Sequence, residues 1–68
     1  MEFGKRLRQI RLQRNMTQQS LADAIKVELR TYQRYEQGSR EPSFTMLLAI
    51  ADVLKVSTDY LLGRTDEY

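Results

Sequence analysis

Apolar residues recur along this chain every three or four positions, the spacing of helices, and no segment reads as a strand. Phe3, Leu7 and Ile10 share one face and predict a helix over 3–14, with Asn15 as its left-handed stop. Thr17 is placed to cap a short helix over 18–25, with Leu21, Ala22 and Ile25 inward. Ser20 stands where a capping box wants Glu or Gln, so that cap is half built. Lys26 and Val27 form a break. A third helix is predicted over 28–37 and ends at Gly38, while Pro42 blocks any continuation from Arg40-Glu41. Ser43 caps a fourth helix over 44–54. Its apolar positions 44, 47, 48, 50, 51 and 54 form a wide stripe, which predicts the most buried helix of the set. After Val56, Ser57 caps a last short helix over 58–62, with Asp59 facing the N-terminal dipole and Gly63 as stop. Residues 64–68 read as a polar tail that frays. Five helices with short connections predict a compact all-α domain over residues 1–63.

The length of 68 residues allows one small domain, which buries only about 60% of the surface its unfolded chain exposes. Neither Cys nor His is present, so no disulfide, zinc-thiolate centre or His-based triad can be built. Glycines at 4, 38 and 63 form no phosphate loop, and the carboxylates are scattered. No enzyme, cofactor, metal or small-molecule substrate is expected. With no signal peptide and no long apolar run, the expected location is the cytoplasm, at the nucleoid, and no membrane is engaged.

Net charge is only +2, but it is unevenly placed. Residues 1–40 carry nine Lys/Arg against four Asp/Glu, and residues 41–68 carry two against five. A basic half joined to an acidic half suits a polyanionic partner on one side.

Residues 18–37 make two short helices joined by a turn of about four residues, the outline of a helix-turn-helix. Ala22 supplies the small residue where such helices cross. Ile25 and Val27 flank the turn, and Tyr32 and Tyr35 supply core contacts for the second helix. Five segments then stand in order: Leu7-Arg8-x-Ile10-Arg11; Met16-Thr17-Gln18-x-x-Leu21-Ala22; Tyr32-x-x-Tyr35-Glu36-x-Gly38; Pro42-Ser43-x-x-x-Leu47-Leu48-x-Ile50-Ala51; and Val56-Ser57-x-Asp59-x-Leu61-Leu62-Gly63. Over residues 3–63 the chain resembles the lambda-repressor-like, Cro/XRE-type DNA-binding domains. That resemblance implies a five-helix fold and a regulator that binds double-stranded DNA through its third helix. The family usually has Gly at the position of Lys26. A left-handed Lys there costs roughly 1–2 kcal/mol, so the turn is expected to be reshaped. Tyr32 and Tyr35 replace aliphatic residues of the family, and Glu28 stands where small polar residues are common.

The reading face follows from helical rotation of about 100° per residue. With Tyr32 inward, Tyr35, Glu28 and Glu36 fall within about 60° of it. Arg30, Arg34 and Gln37 lie opposite, and Leu29 and Gln33 lie on a flank. Arg30 and Arg34 repel one another at i, i+4, which a polyanion would relieve. Arg can fork onto guanine, Gln33 can pair with adenine, Leu29 can touch a thymine methyl, and Glu28 can accept from a cytosine amino group. Thr17 and Gln18 sit at a helix N-terminus that favours an anion, and the family uses the Gln18 position to clamp the DNA backbone. Gln37, Ser39 and Arg40 are further backbone contacts. The family also pairs the positions of Arg11 and Glu36 as a half-buried ion pair. The two tyrosines are expected in the core, with their hydroxyls at its rim.

Family members often bind palindromic operators as dimers, so a homodimer is a further expectation, with part of Tyr60, Leu61 and Leu62 available for it. The leading function is a sequence-specific transcriptional regulator, more often a repressor. The alternatives are the antitoxin of a toxin–antitoxin pair, or an interaction module that has lost DNA binding.

Overall fold

A computed structural model describes residues 3–67, which fold into α1 (Phe3–Gln13), α2 (Gln18–Ala24), α3 (Leu29–Gln37), α4 (Phe44–Leu54) and α5 (Thr58–Leu61), with no strand among them. Tyr68, the end of the predicted tail, lies outside the described residues. None of these helices is long and apolar enough to cross a membrane.

Three helix starts are capped as their sequence requires. Thr17, Ser43 and Ser57 adopt extended backbone, and their hydroxyls accept from the N–H of Ser20, Met46 and Tyr60. Ser20 does not complete a capping box. Its hydroxyl donates to the Thr17 carbonyl instead. Glu28, before α3, caps without a side-chain bond.

Every helix ends in one hydrogen-bonding pattern. The residues at the stops are Asn15, Lys26, Gly38, Lys55 and Gly63, and all have positive φ. The residue after each donates back five positions: Met16 to Arg11, Val27 to Ala22, Ser39 to Arg34, Val56 to Ala51 and Arg64 to Asp59. Three of these donors, Met16, Val27 and Val56, are apolar and pack onto the core, so one residue both closes a helix and pins the next segment. This overturns the expectation of a reshaped turn. Lys26 takes φ 61° and the turn keeps its left-handed form, because the two backbone bonds and the anchoring of Val27 outweigh the strain.

The core is built from Leu7, Ile10, Leu21, Ala22, Ile25, Tyr32, Tyr35, Ile50, Ala51, Leu54, Val56 and Leu61. α1 lies against α3 and α5, α2 against α3 and α4, and α4 against α5. Gly4 enables the first contact. A Cβ there would collide with the Glu36 carbonyl and come within 2.9 Å of the Tyr35 carbonyl oxygen. α4 is not the most buried helix. Ile50, Ala51 and Leu54 are inside, but Phe44 is 87% exposed and Leu48 56%. Its stripe is wider than the remaining small domain can cover.

Three arginines of the basic half tie the fold together. Arg6 Nε donates to the Tyr60 carbonyl at 2.8 Å and Nη2 to the Thr65 carbonyl at 3.2 Å, while its guanidinium lies 4.4 Å from the Tyr60 ring centroid. That bond holds the start of the tail back against α1, contrary to simple fraying. Arg14 Nε donates to the Leu54 carbonyl at the end of α4, where a cation is favoured. Arg11 belongs to the site described next.

Candidate nucleic-acid interface

α3 is steered by what it buries. Tyr32 is fully buried, Tyr35 nearly so, and their rings meet edge to face at 6.4 Å between centroids. With that face inside, Arg30, Arg34 and Gln37 are exposed, and Leu29 and Gln33 are half-buried at the flank. Neither Arg30 nor Arg34 has an ion-pair partner among the described residues. Glu28 is exposed at the start of the helix. Ser39 and Arg40 are exposed just past its end.

Beneath α3 lies a buried polar cluster. Arg11 Nε meets Glu36 Oε2 at 2.6 Å, with side chains only 7% and 5% exposed. Arg11 also donates to the Met16 carbonyl at 2.9 Å, which binds α1, the α1–α2 turn and α3 together. Glu36 accepts further from Gln18 Nε2 at 3.1 Å and from the Tyr32 hydroxyl. The Tyr32 hydroxyl is therefore inside, not at the rim as expected, because a buried carboxylate offers it a stronger partner than the domain edge. Burial pushes the Glu36 carboxyl up. Hydrogen bonds from Arg11, Tyr32 and Gln18, with the attraction of Arg11, outweigh it and hold the group below the usual carboxylate range. The Glu36 hydrogen bond and charge raise Arg11 further, against its own desolvation. Burial, and then the bond to Glu36, raises the Tyr32 phenol. No buried side-chain polar atom among the described residues lacks a partner.

The N-terminus of α2 adjoins this cluster. Thr17 is exposed, while Gln18 is half-buried between Glu36 and Gln33, whose Nε2 donates to Gln18 Oε1 at 3.3 Å. Thr17, Gln18 and Leu29 line one shallow hollow with Arg8, Leu12 and Gln19. Arg8 and Gln19 are exposed on this rim and were not singled out from the sequence, although Arg8 stands three residues before Arg11, on a neighbouring face of α1. The structure thus gathers Thr17, Gln18 and Leu29 at one end of α3, ties Gln33 at its middle to Gln18, and leaves Ser39 and Arg40 beyond the other end.

The helix-turn-helix family profile matches residues 7–61. The chain belongs to the helix-turn-helix family. It is 42% identical over 66 residues to the HTH-type transcriptional regulator YqaE of Bacillus subtilis, covering 96% of this chain and 57% of that one. It is also 42% identical over 69 residues to the cryptic phage CTXphi transcriptional repressor RstR of Vibrio cholerae, covering 98% and 62%. The HTH-type transcriptional activator BcrR of Enterococcus faecalis is 34% identical over 63 residues, covering 93% and 31%. This helix-turn-helix chain therefore spans about three fifths of the first relatives and less of the last. No solved structure gives a significant match.

Proposed function

We propose that this helix-turn-helix protein is a sequence-specific transcriptional regulator that lays α3 in the major groove of double-stranded DNA. The observation that carries this reading is the pairing of two opposed faces on one helix. Tyr32 and Tyr35 lock the inner face, and Arg30 and Arg34 stand exposed on the outer one without an ion-pair partner among the described residues. Arg30, Arg34, Gln33, Leu29 and Glu28 face bases, while Thr17, Gln18, Gln37, Ser39 and Arg40 hold phosphates. No step of this function involves catalysis, and it places the protein in the cytoplasm, at the nucleoid.

The regulator acts as a homodimer on an inverted repeat. Half-sites one turn apart put two reading helices about 34 Å from each other, and the longest dimension of the domain is 29 Å, so two copies fit side by side on one face of the duplex without overlapping. Phe44 and Leu48, one turn apart on α4, are exposed and give such a neighbour an apolar surface. Beside them is a hollow of about 490 Å³ lined by Phe3, Pro42, Leu47 and Leu62 that can receive a partner's phenyl ring. We assign repression as the outcome. The relative named a repressor supports this, since the chain is 42% identical to it and 34% identical to the relative named an activator.

In vitro selection from random duplexes tests the core of this proposal. The expected product is an inverted repeat whose binding weakens steeply with salt. A pool with no enrichment, or binding insensitive to salt, would overturn it. A reporter carrying the selected site between promoter and gene should fall in expression when the protein is present.

A further inference from the structure

A helix with its side chains is about 10–12 Å across, and the major groove is about 12 Å wide. A helix lying in that groove therefore has one sugar-phosphate backbone along each flank. Measured from Tyr32, Gln33 lies about 100° to one side of α3 and Thr31 about 100° to the other. The Gln33 flank faces Gln18 at the start of α2. The Thr31 flank opens on a separate hollow of about 550 Å³. Lys26 lines it from the turn before α3, Thr31 and Tyr35 from the helix itself, and Arg40 from the loop after it. Two cations from opposite ends of α3 thus border one recess.

Glu28 and Glu41 line the hollow too, so its two cations are matched by two carboxylates. Yet neither Lys26 nor Arg40 has an ion-pair partner among the described residues. Such a site has little pull on a distant anion, but both cations remain able to bond one that α3 brings to them. Lys26 is exposed and bears a left-handed turn, φ 61°, that glycine takes without strain. Lys55 bears the same strain at φ 59°, so strain alone assigns no role. What distinguishes Lys26 is its place beside Thr31 and Arg40.

We propose that Lys26, with the Thr31 hydroxyl and Arg40, binds a phosphate of the DNA strand opposite the one held at the start of α2. This rests on the proposed DNA-binding function. The ammonium, the hydroxyl and the guanidinium all donate, and a phosphate oxygen accepts. α3 is then braced against both backbones and does not roll about its axis in the groove. The contact strengthens binding to every sequence alike, because a phosphate carries no base identity.

The test measures binding of the wild-type protein, Lys26→Gly and Lys26→Gln to the selected operator over a salt series. Both variants should bind about three- to fivefold more weakly at low salt. Their salt slope should fall by about one, and their base preferences should be those of wild type. Operators with one neutral methylphosphonate linkage at a time then locate the contact. One such linkage should weaken wild type by the same factor and leave Lys26→Gly unaffected. Gln18→Ala should be unaffected by a linkage on the other strand. A variant salt slope equal to wild type overturns the proposal. So does a Lys26→Gly protein that responds to every linkage as wild type does, or a Lys26 linkage on the same strand as that of Gln18.

Lys26→Gly relieves a strained turn, so its weaker binding is not a sign of unfolding. The two failures are also distinct. A wild-type protein that binds no selected duplex sinks the DNA-binding function and this contact with it. A wild-type protein that binds, matched by both Lys26 variants, sinks the contact alone.

Discussion

α3 and α4 each bury one face and leave the other uncovered, and the two uncovered faces have opposite chemistry. α3 shows solvent two arginines and a glutamine, while α4 shows a phenylalanine and a leucine. The difference lies in what each helix could spare. α3 has two large apolar residues placed for the core, and its polar remainder has only one side left. α4 is apolar nearly all round, and a 68-residue chain lacks the bulk to cover it twice. Polarity on the outer face of α3 and apolarity on that of α4 suit different partners: a charged duplex for one, another protein surface for the other.

The contrast is broken most severely from inside α3. Arg11→Ala leaves Glu36 buried without its cation, which should cost about 3–5 kcal/mol. At about 0.05–0.15 kcal/mol per residue the whole domain has roughly 3–10 kcal/mol, so the loss is a large share of its stability and the urea midpoint should fall sharply. A midpoint equal to wild type would mean that the ion pair does not hold α3. The same carboxylate gives a pH dependence. Its folded value lies below the unfolded one of about 4.3, so its contribution is fully present above that pH. It is lost as pH falls through the folded value. The urea midpoint should therefore be steady near neutrality and drop below about pH 4.

The outer face of α3 should respond next, in binding rather than folding. Arg34→Ala should lose about 1–3 kcal/mol of discrimination at one base pair, whereas Arg40→Ala should weaken all duplexes alike and flatten the salt slope. Competition binding against operator variants distinguishes the two; equal behaviour would mean that the assigned face is wrong. Lys26→Gly, at the turn that sets α3 on α2, should raise stability by about 1 kcal/mol by relieving a left-handed side chain. Thermal melting reads that gain, and a loss would show that Lys26 makes a contact worth more than its strain. The smallest effect on folding belongs to the outer face of α4. Phe44→Ser should leave the unfolding free energy within about 0.5 kcal/mol of wild type, because the ring is exposed. Sedimentation should nevertheless show a shift toward monomer, and a matching loss of cooperative operator binding.

Much of this was written locally. Thr17, Ser43 and Ser57 announce three helix starts, and Asn15, Gly38 and Gly63 announce stops, because caps depend on a few adjacent atoms. The two lysine stops were harder to read. Left-handed Lys26 and Lys55 are not favoured by their own chemistry and are held by the apolar residue that follows each. Charge was legible only in part. Nine basic residues precede position 41, but Arg6 and Arg14 bind carbonyls of distant segments and Arg11 a carboxylate, so a third of them serve the fold. Gly4 gave no signal at all, since its need arises from a backbone more than thirty residues away.

By itself, then, the order of residues determined the five helices, the inward side of α3 and the charged residues opposite, because helical rotation and capping act over a few neighbours. Tertiary structure alone decided that Lys26 would bear a left-handed turn, that Gln18 would bridge Glu36 and Gln33, and that Phe44 and Leu48 would be left outside. Each of those outcomes depends on which distant surfaces meet, and on how much surface so small a chain can cover.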